Sequence, residues 1–300
     1  MRAARALEHA RHALARERGE SLAHVAGYAV RADCPFLTTH RLYPSDTAYR
    51  LYRIALMEFE LFVGDCIDVM RTLPAASFDA IITDPPYGET SLDWDQHVSG
   101  WTAEAARLLK PTGSMWCFGS LRFFMERAKD FADWTIAQDT VWEKHNGTNA
   151  FNDRFRRVHE HAIHAYRGAW RDVYKKPLFT HDARARTVHR KARIAQWGDI
   201  GAASYSSVDG GPRLMRSVMF HRSMHGRAVH PTQKPVEIVA PLVEYSCPPG
   251  GRVLDPFMGS GTTGVAAAQL GCDFVGIELR ADFVSIAGER IAHAYGLDLA

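Results

Sequence analysis

The stretch Ala80-Ile81-Ile82-Thr83-Asp84-Pro85-Pro86-Tyr87 decides how this chain is expected to fold. It begins as a short apolar run and stops at two prolines, which fix φ and cannot donate a ladder hydrogen bond. This pattern predicts a buried parallel strand over residues 79–83 that ends in a stiff loop. The loop presents the Asp84 carboxylate, proline-flanked carbonyls and the Tyr87 ring together, and such a cluster could hold a planar aromatic amine. An ordinary strand-ending turn is the alternative for these residues.

A second stretch, Val253 to Gly264, predicts a strand, a glycine-rich turn and then a helix that begins near Thr262. Ligands bind α/β sheets at such corners, because backbone N–H groups at a helix start attract anions. The turn lacks the lysine of a triphosphate-binding loop, and its spacing only loosely matches the dinucleotide pattern. The next predicted strand, Phe274–Glu278, ends in an acid where a ribose hydroxyl pair would be bound. The expected ligand is therefore a nucleoside with a carboxylate tail.

The two motifs, in this order, resemble the DNA methyltransferases that modify exocyclic amino groups with S-adenosyl-L-methionine. In that family Asp-Pro-Pro-Tyr is the catalytic loop and Phe-x-Gly-x-Gly the cofactor loop, which match residues 84–87 and 257–261. Catalysis precedes cofactor binding along the chain, as in the circularly permuted β class. Gly64-Asp65-Cys66 and the segment 230–235 are further matches. The resemblance covers roughly residues 58–166 and 230–295.

The resemblance implies an α/β fold: a Rossmann-like, doubly wound, mostly parallel sheet of seven strands in permuted order, with an inserted target-recognition region. It implies that the catalytic residues are Asp84, Pro85, Pro86 and Tyr87. The implied cofactor-binding residues are Asp65, Asp84, Thr232, Lys234, Asp255, Phe257, Gly259, Ser260, Gly261, Thr262, Thr263 and Glu278. Asp65 would help to hold the adenine moiety of the cofactor, or could instead cap the helix that follows. Lys234 could instead be a surface charge at a helix start.

The chain divides into four predicted parts. Residues 1–57 are predicted to be an extension that is dispensable, and residues 58–166 the catalytic half of the methyltransferase domain. Residues 167–229 have little apolar periodicity and are predicted to be the target-recognition insert, and residues 230–300 the cofactor-binding half. The polar and aromatic residues 88–100 are predicted to form a mobile loop over the site. Within these parts the pattern also predicts one helix over Arg122–Phe131, an edge strand over His159–Tyr166, and a helix over Arg5–Arg18.

Charge is concentrated in one segment of the chain. Residues 141–230 hold 17 Lys and Arg against 7 Asp and Glu, a local charge of +10 in a chain whose net charge is +2. Such a localised basic segment is typical of a polyanion-binding surface, and four aromatic residues within it could stack on bases: Trp170, Tyr174, Phe179 and Trp197. A basic, solvated loop is the alternative. The predicted partner is double-stranded DNA, with a cognate restriction endonuclease as a second candidate and a monomer or a homodimer as the assembly.

The cysteines and histidines do not predict a metal site. The five cysteines are scattered without a Cys-x-x-Cys pair, which favours a reducing compartment and argues against zinc. His159, His161 and His164 lack a matching set of Cys or carboxylate ligands, so they are interpreted as strand residues. No apolar stretch approaches the length of a membrane span, so we expect a cytoplasmic protein without membrane contact.

The expected reaction is site-specific methyl transfer to the 6-amino group of adenine in double-stranded DNA, by base flipping and direct displacement. Asp in the first loop position is typical of adenine enzymes in the family, whereas cytosine-amino enzymes tend to have Ser; the cytosine 4-amino group is the alternative. A covalent carbon-5 mechanism is disfavoured, because no Cys lies in the proline loop.

Three rival functions share some of these sequence features. Glutamine-amide methyltransferases carry Asn in the first loop position and the opposite motif order, so both features differ from this sequence. A catalytically silent DNA-binding protein is a rival from another class. A nicotinamide oxidoreductase is remote, because the glycine turn has the wrong spacing.

Overall fold

The computed structural model describes residues 53–54, 57–148, 153–192 and 201–296. The strands in this part of the chain are β1 (Arg53–Ile54), β2 (Met57–Val63), β3 (Phe78–Thr83), β4 (Leu109–Gly119), β5 (Thr135–Thr148), β6 (Arg157–Tyr166), β7 (Phe179–Thr180), β8 (Arg186–Arg190), β9 (Ala203–Ser207), β10 (Arg213–Leu214), β11 (Val218–Phe220), β12 (Arg252–Asp255) and β13 (Asp273–Glu278). The α-helices are α1 (Cys66–Thr72), α2 (Trp101–Leu108), α3 (Leu121–Glu126), α4 (Val236–Ser246), α5 (Thr262–Gln269) and α6 (Ala281–Ala294). Short 3₁₀ helices lie at Ala128–Phe131 and Trp170–Asp172.

Nine of these strands form one sheet, in the order β1-β2-β13-β12-β3-β4-β6-β5-β11. The strands from β2 to β4 in this order run parallel to one another, whereas β6 is antiparallel to both β4 and β5. The middle seven strands, from β2 to β5, match the predicted methyltransferase sheet, and β1 and β11 flank them. The prediction of a mostly parallel, permuted α/β sheet is therefore confirmed.

Strand β3 is the middle strand of the nine-stranded sheet, and every residue in it is buried. Ala80 and Ile82 point to one face, where they join an apolar cluster with residues of α4, α5 and α6. Ile81 points to the other face, into a cluster with residues of α1 and α2. A strand that is buried on both faces reads as a continuous apolar run, as residues 80–83 do. Helices on both faces make the sheet doubly wound, as predicted.

The strand order brings the two sequence motifs together. Strand β12 pairs with β3 in parallel, with Val253 opposite Ala80 and Leu254 opposite Ile81. Strand β13 then fills the remaining gap between β12 and β2. Because neighbouring parallel strands end at the same edge of a sheet, the loop after β3 and the glycine turn after β12 lie side by side.

Two predictions about secondary structure are wrong. The segment 159–166 lies in β6, an inner strand between β4 and β5, and not at the edge of the sheet. Its polar residues 159–161 suggested an exposed edge, but β4 pairs with β6 only from Gly119 and His161 onward, so the start of β6 extends past its neighbour. The helix predicted over Arg122–Phe131 is interrupted at Arg127, whose φ of −108° and ψ of 16° end α3 before a 3₁₀ turn begins.

The segment 167–229 contributes two small two-stranded sheets, β7 with β10 and β8 with β9, and then β11. Strand β11 pairs with β5 in parallel, so the end of this segment is part of the main sheet. The helix predicted over Arg5–Arg18, and the predicted extension except residues 53–54 and 57, lie outside the described residues. Within the described part of the chain, every helix falls short of the length and apolarity that a bilayer span requires.

Candidate active site

Asp255, the last residue of β12, connects the end of β3 to the glycine turn by hydrogen bonds. Its Oδ1 accepts hydrogen bonds from Thr83 Oγ1 at 2.8 Å and Phe257 N at 3.1 Å, and its Oδ2 accepts one from Thr263 Oγ1 at 2.7 Å. These bonds join the end of β3, the glycine turn and the first turn of α5. Burial raises the pKa of Asp255 to about 7, against the opposing effect of the hydrogen bonds from Thr263 and Thr83.

The Asp255 carboxyl predicts a pH dependence of folding stability. Its pKa is raised in the folded state above its ordinary value, so its contribution to stability is full below about pH 4 and is lost as the pH rises to about 7. An Asp255→Asn variant cannot ionise there, so we expect its stability relative to wild type to increase by up to about 4 kcal/mol between these pH values. Urea unfolding of both proteins at about pH 4.5 and about pH 7.5, each roughly half a unit above those two values, measures this; a constant difference would contradict it.

Two cavities meet at residues 84–87, the predicted catalytic loop. The first is lined by eleven of the twelve predicted cofactor-binding residues: Asp65, Asp84, Thr232, Lys234, Asp255, Phe257, Gly259, Ser260, Thr262, Thr263 and Glu278. The second is lined by all four predicted catalytic residues, Asp84, Pro85, Pro86 and Tyr87, together with residues of β5 and β6. Asp84, Pro86 and Lys234 line both. The Asp84 carboxylate therefore lies between the predicted cofactor site and a separate opening.

Gly261 is the predicted cofactor residue that does not line the first cavity. It precedes α5 with φ +76°, a left-handed conformation that favours glycine. A Cβ atom at this position would lie 2.8 Å from the Cβ of Ala287 in α6. Gly261 thus permits a tight turn and close helix packing behind the cavity.

Glu278 and Asp65 approach the first cavity from neighbouring strand ends. Glu278 Oε2 accepts a hydrogen bond from Gly259 N at 3.0 Å, and burial raises the pKa of Glu278. Asp65 Oδ1 accepts from Ile67 N at 2.9 Å and Asp68 N at 3.2 Å, which makes it the N-cap of α1. The capping alternative for Asp65 is thus observed, and it is compatible with a place in the cavity wall.

Both oxygens of the Asp84 carboxylate accept a hydrogen bond from a neighbouring side chain. The Tyr87 hydroxyl donates to Asp84 Oδ1, and the Lys234 ammonium donates to Asp84 Oδ2. The Tyr87 ring packs against Phe123 with a centroid distance of 5.2 Å. Burial raises the pKa of Asp84, while the Lys234 ammonium opposes that shift. Lys234 is 8% exposed, so it is not the surface charge that was the alternative for this residue.

Sequence reasoning missed a second buried ion pair. Glu160 of β6 lies 3.2 Å from Lys234 Nζ through Oε2, and its Oε1 accepts a hydrogen bond from the Lys144 ammonium of β5. Burial alone would raise the pKa of Glu160, but Lys234 and Lys144 together lower it to about 2. Burial alone would lower the pKa of Lys234, but Asp84 and Glu160 raise it. Both shifts favour the charged forms of Glu160 and Lys234.

Residues 88–95 are anchored more firmly than the expectation of a mobile loop implied. The Asp95 carboxylate accepts hydrogen bonds from Gly88 N at 2.8 Å, Glu89 N at 3.0 Å, Thr90 N at 2.7 Å and Thr90 Oγ1 at 2.7 Å. The Glu89 carboxylate accepts from Ser120 Oγ and from Arg157 Nη1, the latter at 2.9 Å. These bonds tie the loop after Tyr87 to β6 and to the start of α3.

An Asp95→Ala substitution should loosen this loop. It removes the acceptor for three backbone N–H groups. An unsatisfied buried donor costs about 1–3 kcal/mol, so we expect a total loss of roughly 2–4 kcal/mol once some donors reach water. Denaturant unfolding measures the loss, and Asp93→Ala, an exposed aspartate of the same loop, is the matched control. Equal stability of the two variants would contradict the anchoring role.

The strand histidines do not converge on a ligand. His164 is fully buried and stacks on Trp116, with ring centroids 4.4 Å apart and an interplanar angle of 11°. Burial lowers the pKa of His164 to about 4, so the ring is neutral. Among the described residues, no group of three or more His, Cys, Asp or Glu side chains is arranged to hold a metal ion.

Comparison with known proteins places this geometry in a family. A family model described as DNA methylase, of the N6/N4 methyltransferase type, matches residues 78–289. The type II methyltransferase M.HinfI of Haemophilus influenzae is 29% identical over 258 residues, which cover 76% of this chain and 67% of the relative. The crystal structure of an M1.HpyAVI–SAM complex is 25% identical with a TM-score of 0.53, over 77% of this chain and 99% of that one.

A second solved structure supports the fold alone. The PvuII DNA methyltransferase, described as cytosine-N4-specific, superposes with a TM-score of 0.55 at 14% identity, over 79% of this chain and 91% of that one. The family model spans more than half of the chain and includes the catalytic loop, the glycine turn and the strands that join them. This chain belongs to the N6/N4 DNA methylase family.

Proposed function

We propose that this chain transfers a methyl group from S-adenosyl-L-methionine to the 6-amino group of adenine in double-stranded DNA. The observation that carries the proposal is the position of the Asp84 carboxylate, in the wall that the two cavities share. A group held in the first cavity and a base held in the second would both reach this wall. Holding the methyl donor and the base at this wall would align them for direct displacement, and such alignment removes a large part of the activation barrier.

The residues of the first cavity fit the proposed cofactor. Glu278 ends a parallel strand beside the glycine turn, where a carboxylate can accept the two hydroxyl hydrogens of a ribose. Asp65 lies at the neighbouring strand end for the adenine moiety, and Phe257 and Met258 supply apolar walls. Thr232 and Lys234 line the same cavity and carry donors that a carboxylate tail could use. When bound, S-adenosyl-L-methionine supplies an electrophilic methyl group; the complex with M1.HpyAVI supports this choice of ligand.

Asp84 is the proposed partner of the reacting amino group. An exocyclic amino nitrogen is a poor nucleophile, because its lone pair is delocalised into the ring. A carboxylate oxygen can accept more than one hydrogen bond, so Asp84 can accept an amino hydrogen while it keeps Tyr87. The Pro85 carbonyl is the proposed acceptor for the other hydrogen. Each such bond to a charged acceptor contributes roughly 1.5–3 kcal/mol, and together they draw the nitrogen toward tetrahedral geometry.

The second cavity is the proposed site of the flipped base. Aromatic and basic side chains line it, including Tyr87, Trp142 and Arg157. Stacking of a base on an aromatic ring contributes about 1–3 kcal/mol, which offsets part of the cost of unstacking it from the duplex. The arginine-rich segment that follows β6, with its exposed Phe179 and Tyr205, is the proposed target-recognition surface for DNA. A cognate restriction endonuclease, the assembly state and a cytoplasmic location stay predictions.

The choice of adenine rests on Asp84 in the first loop position. The 4-amino group of cytosine offers the same two hydrogens to the same acceptors, so it is the second candidate. We expect plasmid DNA treated with the protein and methyl-labelled cofactor to yield N6-methyladenine after digestion to nucleosides. Mass spectrometry identifies the product. If the product is N4-methylcytosine, the substrate is cytosine and not adenine. If a folded protein incorporates no methyl group, a catalytically silent DNA-binding protein is supported instead.

A further inference from the structure

Four alternating charges form a continuous chain across the sheet beside the catalytic loop. In order they are Lys144, Glu160, Lys234 and Asp84, and each contacts the next. The exposed fraction of these side chains runs from 8% for Lys234 and 13% for Glu160 to 22% for Asp84. The charges sum to zero, which keeps a buried set of ions tolerable. The family motifs account for Lys234 and Asp84, but not for Glu160.

The pairing register of β5 and β6 places the Glu160 side chain beside two lysines. Glu160 lies directly opposite Trp142 in the β5–β6 pair, and Lys144 follows two residues later on the same face of β5. Lys144 Nζ lies 4.5 Å from the centroid of the Trp142 ring, and Lys234 Nζ lies 5.3 Å from that of Phe118. Both ammonium groups are therefore held over aromatic rings, with the Glu160 carboxylate between them.

The contact between Lys234 and Asp84 creates a conflict in the proposed reaction. A lysine that pairs with Asp84 alone would compete with the target amino group for the lone pairs of the Asp84 carboxylate. A lysine that is absent would leave a buried carboxylate without a counterion, which favours its protonation. Lys234 itself supplies the counterion. Glu160 resolves the competition, because its Oε2 lies 3.2 Å from the same ammonium and offers it a second acceptor.

We propose that Glu160 is a positioning residue for methyl transfer: it shares the Lys234 ammonium with Asp84, so that the Asp84 carboxylate can still accept the target amino group. Lys144 holds Glu160 in place from the outer side. This inference rests on the proposed function, because it assigns a role in the same reaction. The inference predicts that kcat depends on the charge of Glu160 and not only on its shape.

The charged and titratable groups around Asp84 determine what a substitution will do. They are Lys234 from the segment before α4, Glu160 from β6, Tyr87 from the loop itself, Cys117 from β4 and Asp255 from β12. The negative charge of Glu160 raises the pKa of Asp84, while Lys234 lowers it. Removal of the Glu160 charge should therefore lower the pKa of Asp84. It should also leave Asp84 as the only carboxylate beside the Lys234 ammonium, so that this ion pair becomes tighter.

Glu160→Gln tests the proposal. The glutamine oxygen can accept from one lysine, but its NH₂ group then faces the other lysine as a donor. We expect kcat to fall about 10- to 100-fold, as for a misplaced catalytic group, with KM values for DNA and cofactor within about threefold of wild type. We also expect the acidic limb of the kcat–pH profile to move to lower pH. A purely structural role would lower activity without moving this limb.

The control and the remaining outcomes separate the possible failures. Glu143→Gln makes the same chemical change at an exposed position of β5 and should leave kcat unchanged. Wild-type kcat and an unmoved limb in Glu160→Gln would overturn the proposal. A raised KM for DNA at wild-type kcat would also overturn it, since Glu160 would then contact the base. An inactive wild-type protein would instead refute the proposed function.

A conservative variant keeps the test decisive if Glu160→Gln does not fold. Glu160→Asp retains the charge but withdraws it from Lys234 by one methylene group. We expect its acidic limb to coincide with that of wild type and its kcat to lie between those of wild type and Glu160→Gln, at least about fivefold below wild type. Full wild-type kcat in Glu160→Asp would overturn the proposal.

Discussion

Asp84→Ala is expected to lower methyl transfer to DNA by about 10²- to 10³-fold or more, the usual loss for one preorganised electrostatic partner of a transition state. The variant removes the acceptor of the target amino hydrogens and the oxygen that now binds the Tyr87 hydroxyl. It should nevertheless fold, because Glu160 still lies 3.2 Å from the Lys234 ammonium and leaves it a counterion. Cofactor affinity should change little, because Glu278, Asp65 and the glycine turn are untouched.

Two measurements test this expectation together. Initial rates of labelled methyl incorporation into DNA give the loss of turnover, and calorimetric titration with S-adenosyl-L-methionine gives the affinity. Asp93→Ala, in the exposed part of the next loop, serves as the control for a generic loss of an aspartate. Near-normal methylation by Asp84→Ala would remove this residue from the mechanism, and with it the central argument for the function.

Lys234→Met should strongly destabilise the folded protein. It leaves Asp84 and Glu160 without their shared cation, in a region where their side chains are only 22% and 13% exposed. Removal of one partner from a buried ion pair costs about 3–5 kcal/mol, and we expect the lower part of this range because the cavities admit some water. Lys176→Met is the matched control, because the Lys176–Glu244 pair is 2.7 Å long but 53% and 37% exposed. Such a surface pair contributes about 0–1 kcal/mol.

The loss in Lys234→Met should also depend on pH. Without the lysine, the remaining carboxylates repel each other, and the pKa of at least one of them rises further above its unfolded value. A raised folded-state pKa means that stability is present at low pH and is lost as the pH rises through that value. The deficit relative to wild type should therefore be small at about pH 5 and large at about pH 8. Urea unfolding at both values measures it, and an equal deficit would contradict the ion-pair explanation.

Local sequence signals predicted the elements that carry the motifs. The apolar run before Asp84 ends at two prolines and predicts a strand that is buried on both faces, and the glycine turn before Thr262 has a conformation that few other residues adopt. The acid at the end of β13 follows from the same strand-end rule. These features depend on a few consecutive residues, so they can be read without knowledge of the rest of the fold.

The residues that sequence reasoning missed depend on strand order and register. Glu160 reaches Lys234 only because β6 runs antiparallel between β4 and β5, and periodicity within one strand does not reveal its neighbours. The same limit made β6 look like an edge strand. Asp95 was unassigned because its acceptor role depends on the path of the loop back to Gly88. Gly261 was predicted to bind the cofactor; it does not line the first cavity, and a Cβ atom there would meet Ala287 of α6.

The strand order has a consequence for biosynthesis. Strands β2 and β3 follow each other along the chain, but β13 and β12 lie between them in the sheet. As the polypeptide leaves the ribosome, the inner edges of β2 and β3 therefore stay open until nearly the whole chain has been made. Pairings between distant segments form slowly, and open apolar edges invite aggregation or chaperone binding meanwhile. A nascent chain that stops before β12 would lack half of the proposed reaction centre, which has yet to be translated.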